Sequence, residues 1–192
     1  MALIIGDPSV FAIESSITLA YERLSFRGLG FFVIHVGGLC YGRRTDDSTM
    51  LACSFDEVGR RVQMRGGHVV PFGAEPDAEK IVEAFRNTIY GLEQRESYFG
   101  VPYPQFREMI YSKRIAWAPD GDEAFDDGSY VVQFDVGERV RLVAFKTRAC
   151  QPYDVASIRD VSLPADDCYR LLQTWHDAFE KEWASLPKTL EK

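Results

Sequence analysis

The chain has 192 residues, of which 46% are hydrophobic, 27% charged and 13% aromatic. These values are typical of a folded globular domain with a sizeable hydrophobic core, and they exclude a disordered chain. The formal net charge of −7 argues against a nucleic-acid-binding protein, because such proteins need a basic face to neutralise phosphates.

The N-terminal part begins with a short apolar run at residues 2–5, which predicts a strand. Residues 10–24 are expected to form a helix with Ser9 as its N-cap, although their apolar positions follow the helical spacing only in part. Residues 31–36 and 39–42 are rich in β-branched and aromatic side chains and flank a Gly-Gly pair. This arrangement predicts a β-hairpin.

The rest of the chain alternates between strand and helix patterns. Residues 49–55 read as a strand, residues 77–96 as an amphipathic helix and residues 105–112 as a short helix. Residues 130–145 show two alternating runs around a glycine and predict a second hairpin. Residues 166–185, between two prolines, predict a C-terminal helix.

This order of elements predicts an α+β fold in a single domain that spans residues 1–192. It lacks the strand–helix alternation of a doubly wound parallel sheet. We expect a mostly antiparallel sheet built from hairpins, with two main helices packed on it.

The sequence also lacks signals for a membrane or for export. No apolar run approaches the roughly 20 residues of a membrane-spanning helix. The first residues carry no basic segment of a signal peptide and reach Asp7 and Pro8 at once. We therefore predict a cytoplasmic protein. Its four cysteines include no Cys-x-x-Cys pair, so reduced, buried or half-buried thiols are expected rather than a zinc site.

One stretch holds the whole net charge of the chain. Residues 115–138 contain seven acids and no lysine or arginine, whereas the rest of the chain has 22 acids and 22 bases. Five of the seven crowd into residues 120–127, where like charges repel one another. Water, a metal ion or a basic partner must compensate for that repulsion. The seven acids are Asp120, Asp122, Glu123, Asp126, Asp127, Asp135 and Glu138.

Several interpretations of this acidic run are possible. It fails as an EF-hand loop, because Ala124 and Phe125 stand where a ligand and a glycine are required. A nonstandard oxygen-ligand metal site, a pair of carboxylates acting as general acid and base, and a solvated loop without a role remain open. The interpretation we favour is a binding surface for a basic partner.

Aromatic and histidine side chains suggest further roles. The aromatic stripe on the last helix is expected to lie in the hydrophobic core, and so is His35, which stands in an apolar strand. His176 is expected at the surface or in a groove. Aromatic residues in the proline-bearing loop could instead be exposed anchors of a protein interface. The helix stripe is Trp175, Phe179 and Trp183, and the loop residues are Tyr98, Phe99, Tyr103 and Phe106.

The chain resembles the immunity 42 family of bacterial polymorphic-toxin immunity proteins. The resemblance lies in residues 5–13, in residues 117–129 with the following hairpin, and in the last helix around Trp175, and it extends from about residue 3 to about residue 185. It implies a non-catalytic protein that binds the toxic C-terminal domain of a delivered protein, in a type VI or contact-dependent inhibition system. It implies no catalytic residue and no cofactor.

The acidic run agrees with that role if the toxin is a nuclease such as a tRNase. A nuclease presents a basic cleft to phosphates, and a compact acidic surface can mimic them and steer association. We predict that Asp120, Asp122, Glu123, Asp126 and Asp127 bind the toxin, with Asp135 and Glu138 as a rim if they face outward. Direct binding of nucleic acid or membrane is not expected. Two alternatives are a small metal-dependent hydrolase that uses the same carboxylates and an adaptor for another basic partner.

Overall fold

A computed structural model describes residues 2–91, 95–117, 123–147 and 153–189. Within these ranges the chain forms four helices and three mostly antiparallel sheets, so the α+β prediction is confirmed. The helices are α1 (Leu51–Gln63), α2 (Ala78–Tyr90), α3 (Tyr103–Ser112) and α4 (Ala165–Ser185). The strands are β1 (Leu3–Asp7), β2 (Phe11–Tyr21), β3 (Gly28–Val36), β4 (Leu39–Tyr41), β5 (Thr49–Met50), β6 (Ser97–Tyr98), β7 (Val101–Pro102), β8 (Ser129–Val136), β9 (Arg139–Lys146), β10 (Arg159–Pro164) and β11 (Lys188–Thr189).

The largest sheet has the order β1-β2-β3-β4, and β5 also pairs with β3. The C-terminal strand β11 adds to β2 in parallel. The β3–β4 hairpin predicted at the Gly-Gly pair is confirmed, and so is the hairpin predicted at residues 130–145, which forms β8 and β9.

The helix predicted at residues 10–24 is wrong, since this segment forms the long strand β2. Phe11, Ile13 and Ser15 face the core, while the residues between them lie on the other face of the sheet and are buried as well. A strand buried on both faces shows no polar–apolar alternation, which explains the misreading. Ser9 caps no helix, because its backbone N–H and its hydroxyl donate to Asp7 Oδ1 at 2.9 and 2.7 Å in the β1–β2 turn.

The strand predicted at residues 49–55 is also wrong beyond its first two residues. Helix α1 begins at Leu51, and Leu51, Phe55 and Val58 form a buried stripe at helical spacing. The stripe packs against α4. The helical repeat becomes visible only when the pattern is followed to Gln63, beyond the seven residues of the predicted strand.

The other helices are confirmed with shifted ends. Asp77 caps α2 by accepting the backbone N–H groups of Glu79 and Lys80. Gly91, with φ of +63°, ends α2 before the predicted residue 96 in the left-handed conformation that glycine tolerates. Helices α3 and α4 match the predictions for residues 105–112 and 166–185 within two residues.

The small sheet, in the order β10-β9-β8, separates two hydrophobic clusters. On β9, Leu142 and Ala144 join the cluster beneath the large sheet and helices α1 and α4. Val143 and Phe145 join the other cluster, which α2 and α3 cover. The small sheet is therefore buried on both faces and holds the two halves of the core together.

Aromatic residues fill both clusters. Trp175 and Phe179 are fully buried in the first, as expected, and Trp175 Nε1 donates to Ser15 Oγ at 3.1 Å. Tyr98 and Phe106, which the sequence allowed as exposed anchors, are buried in the second cluster. Phe99 and Tyr103 are half-buried against the same cluster.

A buried guanidinium lies where α1 meets the small sheet. Arg61 is fully buried, and it donates to Gln133 Oε1 at 3.1 Å and to the carbonyl oxygen of Ala116 at 2.6 Å. Its Nε lies 3.1 Å from Glu57 Oε1, an ion pair whose angles fall outside those of a hydrogen bond. Its Cζ lies 4.3 Å from the centroid of the Trp117 ring. The charge is thus compensated on every side.

The network continues from Gln133 to Asp135, which was predicted to be a rim residue if it faced outward. Gln133 Nε2 donates to Tyr169 Oη at 3.1 Å, and the Tyr169 hydroxyl donates to Asp135 Oδ1 at 2.7 Å. The backbone N–H of His68 donates to Asp135 Oδ2 at 3.0 Å. Asp135 faces inward and is buried, so it cannot be the rim of an acidic surface.

We predict that Arg61→Met destabilises the fold by about 3 kcal/mol, because it leaves buried hydrogen-bond acceptors without their donor. Urea unfolding measures the difference. The control is Arg60→Met, which removes an exposed guanidinium paired with Glu57 and is expected to stay within about 1 kcal/mol of the wild type. Equal effects of the two substitutions would contradict the role given to Arg61.

The buried His68 predicts a loss of stability in mild acid. Burial, and then the nearby Arg61, lower the pKa of His68, and its Nδ1 lies 2.8 Å from the carbonyl oxygen of Lys113. Because the folded pKa lies below the unfolded value of about 6.5, the unfolded state binds more protons as the pH falls through that value. The free energy of unfolding should therefore drop between pH 7.5 and pH 5.5, and His68→Gln should reduce the drop. An unchanged pH dependence in the variant would exclude His68 as the cause.

Candidate functional site

The acidic turn is anchored by two apolar residues at its centre. Residues Glu123–Phe125 form a single 3₁₀ turn just before β8. Ala124 and Phe125 are buried, and the Phe125 ring meets the edge of Phe32 with a centroid distance of 6.3 Å. Glu123 and Asp126, on either side of them, are exposed. The anchoring therefore presents both carboxylates to solvent.

The five predicted site residues divide into three groups. Glu123 and Asp126 project from the turn, and neither forms an ion pair with the residues that the structure describes. Asp127 is 23% exposed at its side chain, accepts the backbone N–H of Ser129 at 3.0 Å and lies 2.9 Å from Lys146 Nζ. It therefore shapes the start of β8. Asp120 and Asp122 lie outside the described residues.

A second loop lies beside the turn and adds two acids that the sequence did not connect with it. The backbone N–H of Arg43 donates to the carbonyl oxygen of Ala124 at 2.7 Å. Gly42 permits this approach, since its φ is +111° and a Cβ there would lie 2.9 Å from the same oxygen. The loop continues through exposed Asp46 and Asp47 to β5. No local pattern signals this contact, because 81 residues separate Arg43 from Ala124.

Basic side chains near the acidic turn and its neighbouring loop reduce the negative charge there but do not neutralise it. Arg44 extends over the outer face of the large sheet to the buried carboxylate of Glu14, with Nη2 2.6 Å from Oε1. His35 Nε2 lies 2.9 Å from the other oxygen of Glu14. Although burial opposes it, these two partners lower the pKa of Glu14. Arg44 is thus engaged by an acid within the fold.

The remaining predicted acid, Glu138, lies at the opposite end of β8. It is exposed beside a cavity of about 420 Å³ whose wall includes Asp135, Tyr169 and the first residues of α4. Because β8 has eight residues, roughly 20–25 Å separate this cavity from the acidic turn. Glu138 is therefore not the rim of the same surface.

Within the described ranges, no three His, Cys, Asp or Glu side chains converge as metal ligands would. The helices described there include none long and apolar enough to cross a membrane. Of the thiols, Cys168 is buried and Cys40 half-buried, as expected, whereas Cys53 on α1 is exposed. Cys150 lies outside the described residues. His176 stacks on the Phe55 ring with a centroid distance of 3.9 Å.

A tyrosine cluster lies near the acidic turn, at the same end of the small sheet. Tyr130, the second residue of β8, stacks on Phe145 with a centroid distance of 5.1 Å, and its hydroxyl is hydrogen-bonded to that of Tyr90. Tyr90 is 49% exposed. Tyr153 completes the cluster across the side chain of Arg86. The sequence suggested that exposed aromatic residues lie in the proline-bearing loop. In the structure this cluster provides an exposed aromatic residue instead, Tyr90.

Comparisons with known proteins agree on one family and one fold. The family model described as immunity protein 42 matches residues 3–178. No curated protein matches the chain at a significant level. Among solved structures, CdiI from Burkholderia dolosa AUO158 is similar with a TM-score of 0.55 and 15% sequence identity, over 93% of this chain and 99% of that chain. At this identity, the structural likeness concerns the fold.

The different roles of two neighbouring acids can be tested by stability. Asp127→Ala should destabilise the protein by about 1–2 kcal/mol, because it removes a hydrogen bond to a backbone N–H and a half-buried ion pair. Asp126→Ala removes an exposed carboxylate and should stay within about 0.5 kcal/mol of the wild type. Chemical denaturation of both variants measures the difference. Equal stabilities would show that Asp127 has no structural role.

Proposed function

This chain belongs to the immunity protein 42 family, and on that premise we propose that it neutralises a nuclease toxin by covering a basic cleft with the acidic turn. The family gives the chain a toxin-neutralising immunity function and a protein as its partner. The proposal adds that the partner is the C-terminal domain of a secreted toxin, for example a tRNase. Inhibition takes place in the cytoplasm by binding, without chemistry of its own.

The observation that supports this proposal most is the placement of charge. The whole formal charge of −7 lies in one stretch of 24 residues, and the buried Ala124 and Phe125 hold its turn so that Glu123 and Asp126 face solvent. A nuclease needs a basic cleft to hold phosphates. A rigid acidic turn can occupy that cleft at low cost, because little of its backbone has to be ordered on binding.

The acidic surface we propose contains Asp120, Asp122, Glu123 and Asp126, with Asp127 holding the turn in place. Asp46 and Asp47 extend it from the neighbouring loop. Complementary potentials of this kind accelerate the encounter of two proteins and make the association rate depend steeply on salt. Fast capture suits an immunity protein, since a toxin must be bound before it cleaves its substrate.

The delivery system is part of the proposal. The structural neighbour is named as a CdiI protein, which is the immunity component of contact-dependent inhibition. This neighbour shares the fold along nearly the whole chain, and the family match points to immunity as well. We propose a contact-dependent inhibition or type VI system as the source of the toxin.

The test is charge reversal of Asp120, Glu123 and Asp126 to lysine in one variant. We expect its affinity for the toxin domain encoded beside this gene to fall by about 100-fold or more at low salt, mostly through a slower association rate. The melting temperature should stay close to that of the wild type, because Glu123 and Asp126 are exposed. Binding kinetics at several salt concentrations measure both effects.

The matched control reverses Glu108, Asp167 and Asp177, three exposed acids on α3 and α4, and changes the net charge by the same amount. It should bind nearly as the wild type does. Equal losses in both variants would mean that net charge matters and the turn does not. Wild-type binding that is insensitive to salt would move the interface away from the turn. Stoichiometric uptake of a divalent metal in a calorimetric titration would favour the hydrolase alternative.

A further inference from the structure

Arg86 on α2 is a buried charge without a counter-ion. The residue is 7% exposed, and its Nε is buried with no hydrogen-bond partner. In the part of the chain that the structure describes, no carboxylate or carbonyl oxygen pairs with its guanidinium. Arg61 shows the contrast, since it is fully buried and pairs with Glu57, Gln133 and backbone carbonyl oxygens.

Three tyrosines surround this guanidinium. Its Cζ lies 5.7 Å from the ring centroid of Tyr90 and 5.6 Å from that of Tyr153. Together with Tyr130, these are the groups that interact electrostatically with Arg86, and burial lowers its pKa. Burial also raises the pKa of Tyr130 and raises that of Tyr153 to about 12. The hydroxyls of Tyr130 and Tyr153 therefore stay neutral and supply no negative charge to pair with Arg86.

The carboxylate that touches the cluster, that of Glu79, is bonded to a tyrosine and not to Arg86. Tyr153 donates its hydroxyl to Glu79 Oε1 at 3.1 Å, and the hydroxyls of Tyr90 and Tyr130 bond to one another. Cation–π contacts with tyrosine return part of the free energy that burying a guanidinium costs. An apolar side chain of similar volume would avoid the rest of that cost. The fold alone therefore gives no reason for an arginine at position 86.

We propose that Arg86, framed by Tyr90, Tyr130 and Tyr153, receives a carboxylate side chain of the bound toxin domain. The proposal rests on the proposed function, because it takes a protein as the partner. A planar guanidinium can hold a carboxylate through two parallel hydrogen bonds. Tyrosine and arginine are the residue types that most often dominate a protein interface, and an enclosing ring of side chains that excludes water strengthens such a pair.

The position of the cluster supports the same partner. Tyr130 follows Asp127 by three residues, so the cluster and the acidic turn share one end of the small sheet. Tyr90 is 49% exposed and forms the outer edge of the cluster. The turn packs against the hydrophobic cluster on one face of that sheet, and Tyr130 and Tyr153 pack against the hydrophobic cluster on the other. A docked protein that spans the end of the sheet would contact the turn with basic residues and Arg86 with an acidic one. The two contacts have opposite signs, which fixes the orientation of the partner.

The test compares Arg86→Met with Arg61→Met. We expect Arg86→Met to weaken binding of the toxin domain encoded beside this gene by about 30-fold or more, as loss of one member of an enclosed charge pair does. Its melting temperature should be unchanged or higher, because the substitution removes an unpaired buried charge. Arg61→Met should lower the melting temperature, which is the signature of a buried arginine that supports the fold.

Two further measurements identify the carboxylate and the pairing. Arg86→Lys keeps the charge without the planar fork and should bind with intermediate affinity. Substituting each surface Asp and Glu of the toxin domain by its amide should reveal one change whose effect disappears in the Arg86→Met background. Additive effects for every acid would overturn the pairing.

The outcomes separate the two proposals. If the wild type does not bind the toxin domain, both proposals fail. If the wild type binds and Arg86→Met binds equally well, this inference fails while the role of the acidic turn stands. A lower melting temperature with unchanged affinity would assign Arg86 to the fold and overturn the inference.

Discussion

The structure depends on the buried guanidinium of Arg61, which ties helix α1 to the segment that leads into the acidic turn. Its Nη2 holds the carbonyl oxygens of Arg114 and Ala116, and the next residue, Trp117, donates its backbone N–H to Val131 of β8 at 2.9 Å. One end of the acidic stretch is thus pinned to the core. The buried Phe125 pins it again just before β8. The fold therefore holds this stretch at Trp117 and at Phe125.

The acids of residues 115–138 have different roles, because the position of each residue relative to strand β8 fixes the direction of its side chain. Asp135 occurs at an inward position of β8 and receives hydrogen bonds from Tyr169 and His68. Asp127 stabilises the entry to the strand, while Glu123 and Asp126 face solvent. A count of charges along the sequence therefore overstates the acidic surface. The exposed acids that the structure describes at the turn are Glu123 and Asp126.

Elements with one clear periodicity could be predicted from the sequence, and elements shaped by tertiary burial could not. Helices α2 and α4 bury one stripe each, and both long hairpins carry their turn signals. The segment of β2 was predicted as a helix because the first residues of this strand are buried on both faces. The start of α1 was predicted as a strand because its apolar stripe continues beyond residue 55.

The same distinction applies to the candidate site: its local features could be predicted from the sequence, and its long-range contacts could not. The acidic run is local and visible in the sequence, although Asp120 and Asp122 lie outside the described residues. The neighbouring loop with Asp46 reaches the turn through a contact between Arg43 and Ala124. No sequence pattern predicts this contact. The tyrosine cluster draws on residues 86, 90, 130 and 153, which come from α2, β8 and the segment before β10. Only the fold brings them together.

The two buried arginines suggest how an acidic inhibitor can be selective. A surface of one sign attracts any protein with a basic cleft, so attraction alone discriminates poorly among nucleases. Arg86 adds a site of the opposite sign beside that surface, and a toxin without a matching carboxylate would leave the guanidinium buried and unpaired. Only a toxin with a matching carboxylate gains the free energy of pairing with Arg86. In this view Arg61 keeps its partners within the chain because it supports the fold, whereas Arg86 finds its partner in the bound toxin because it supports recognition.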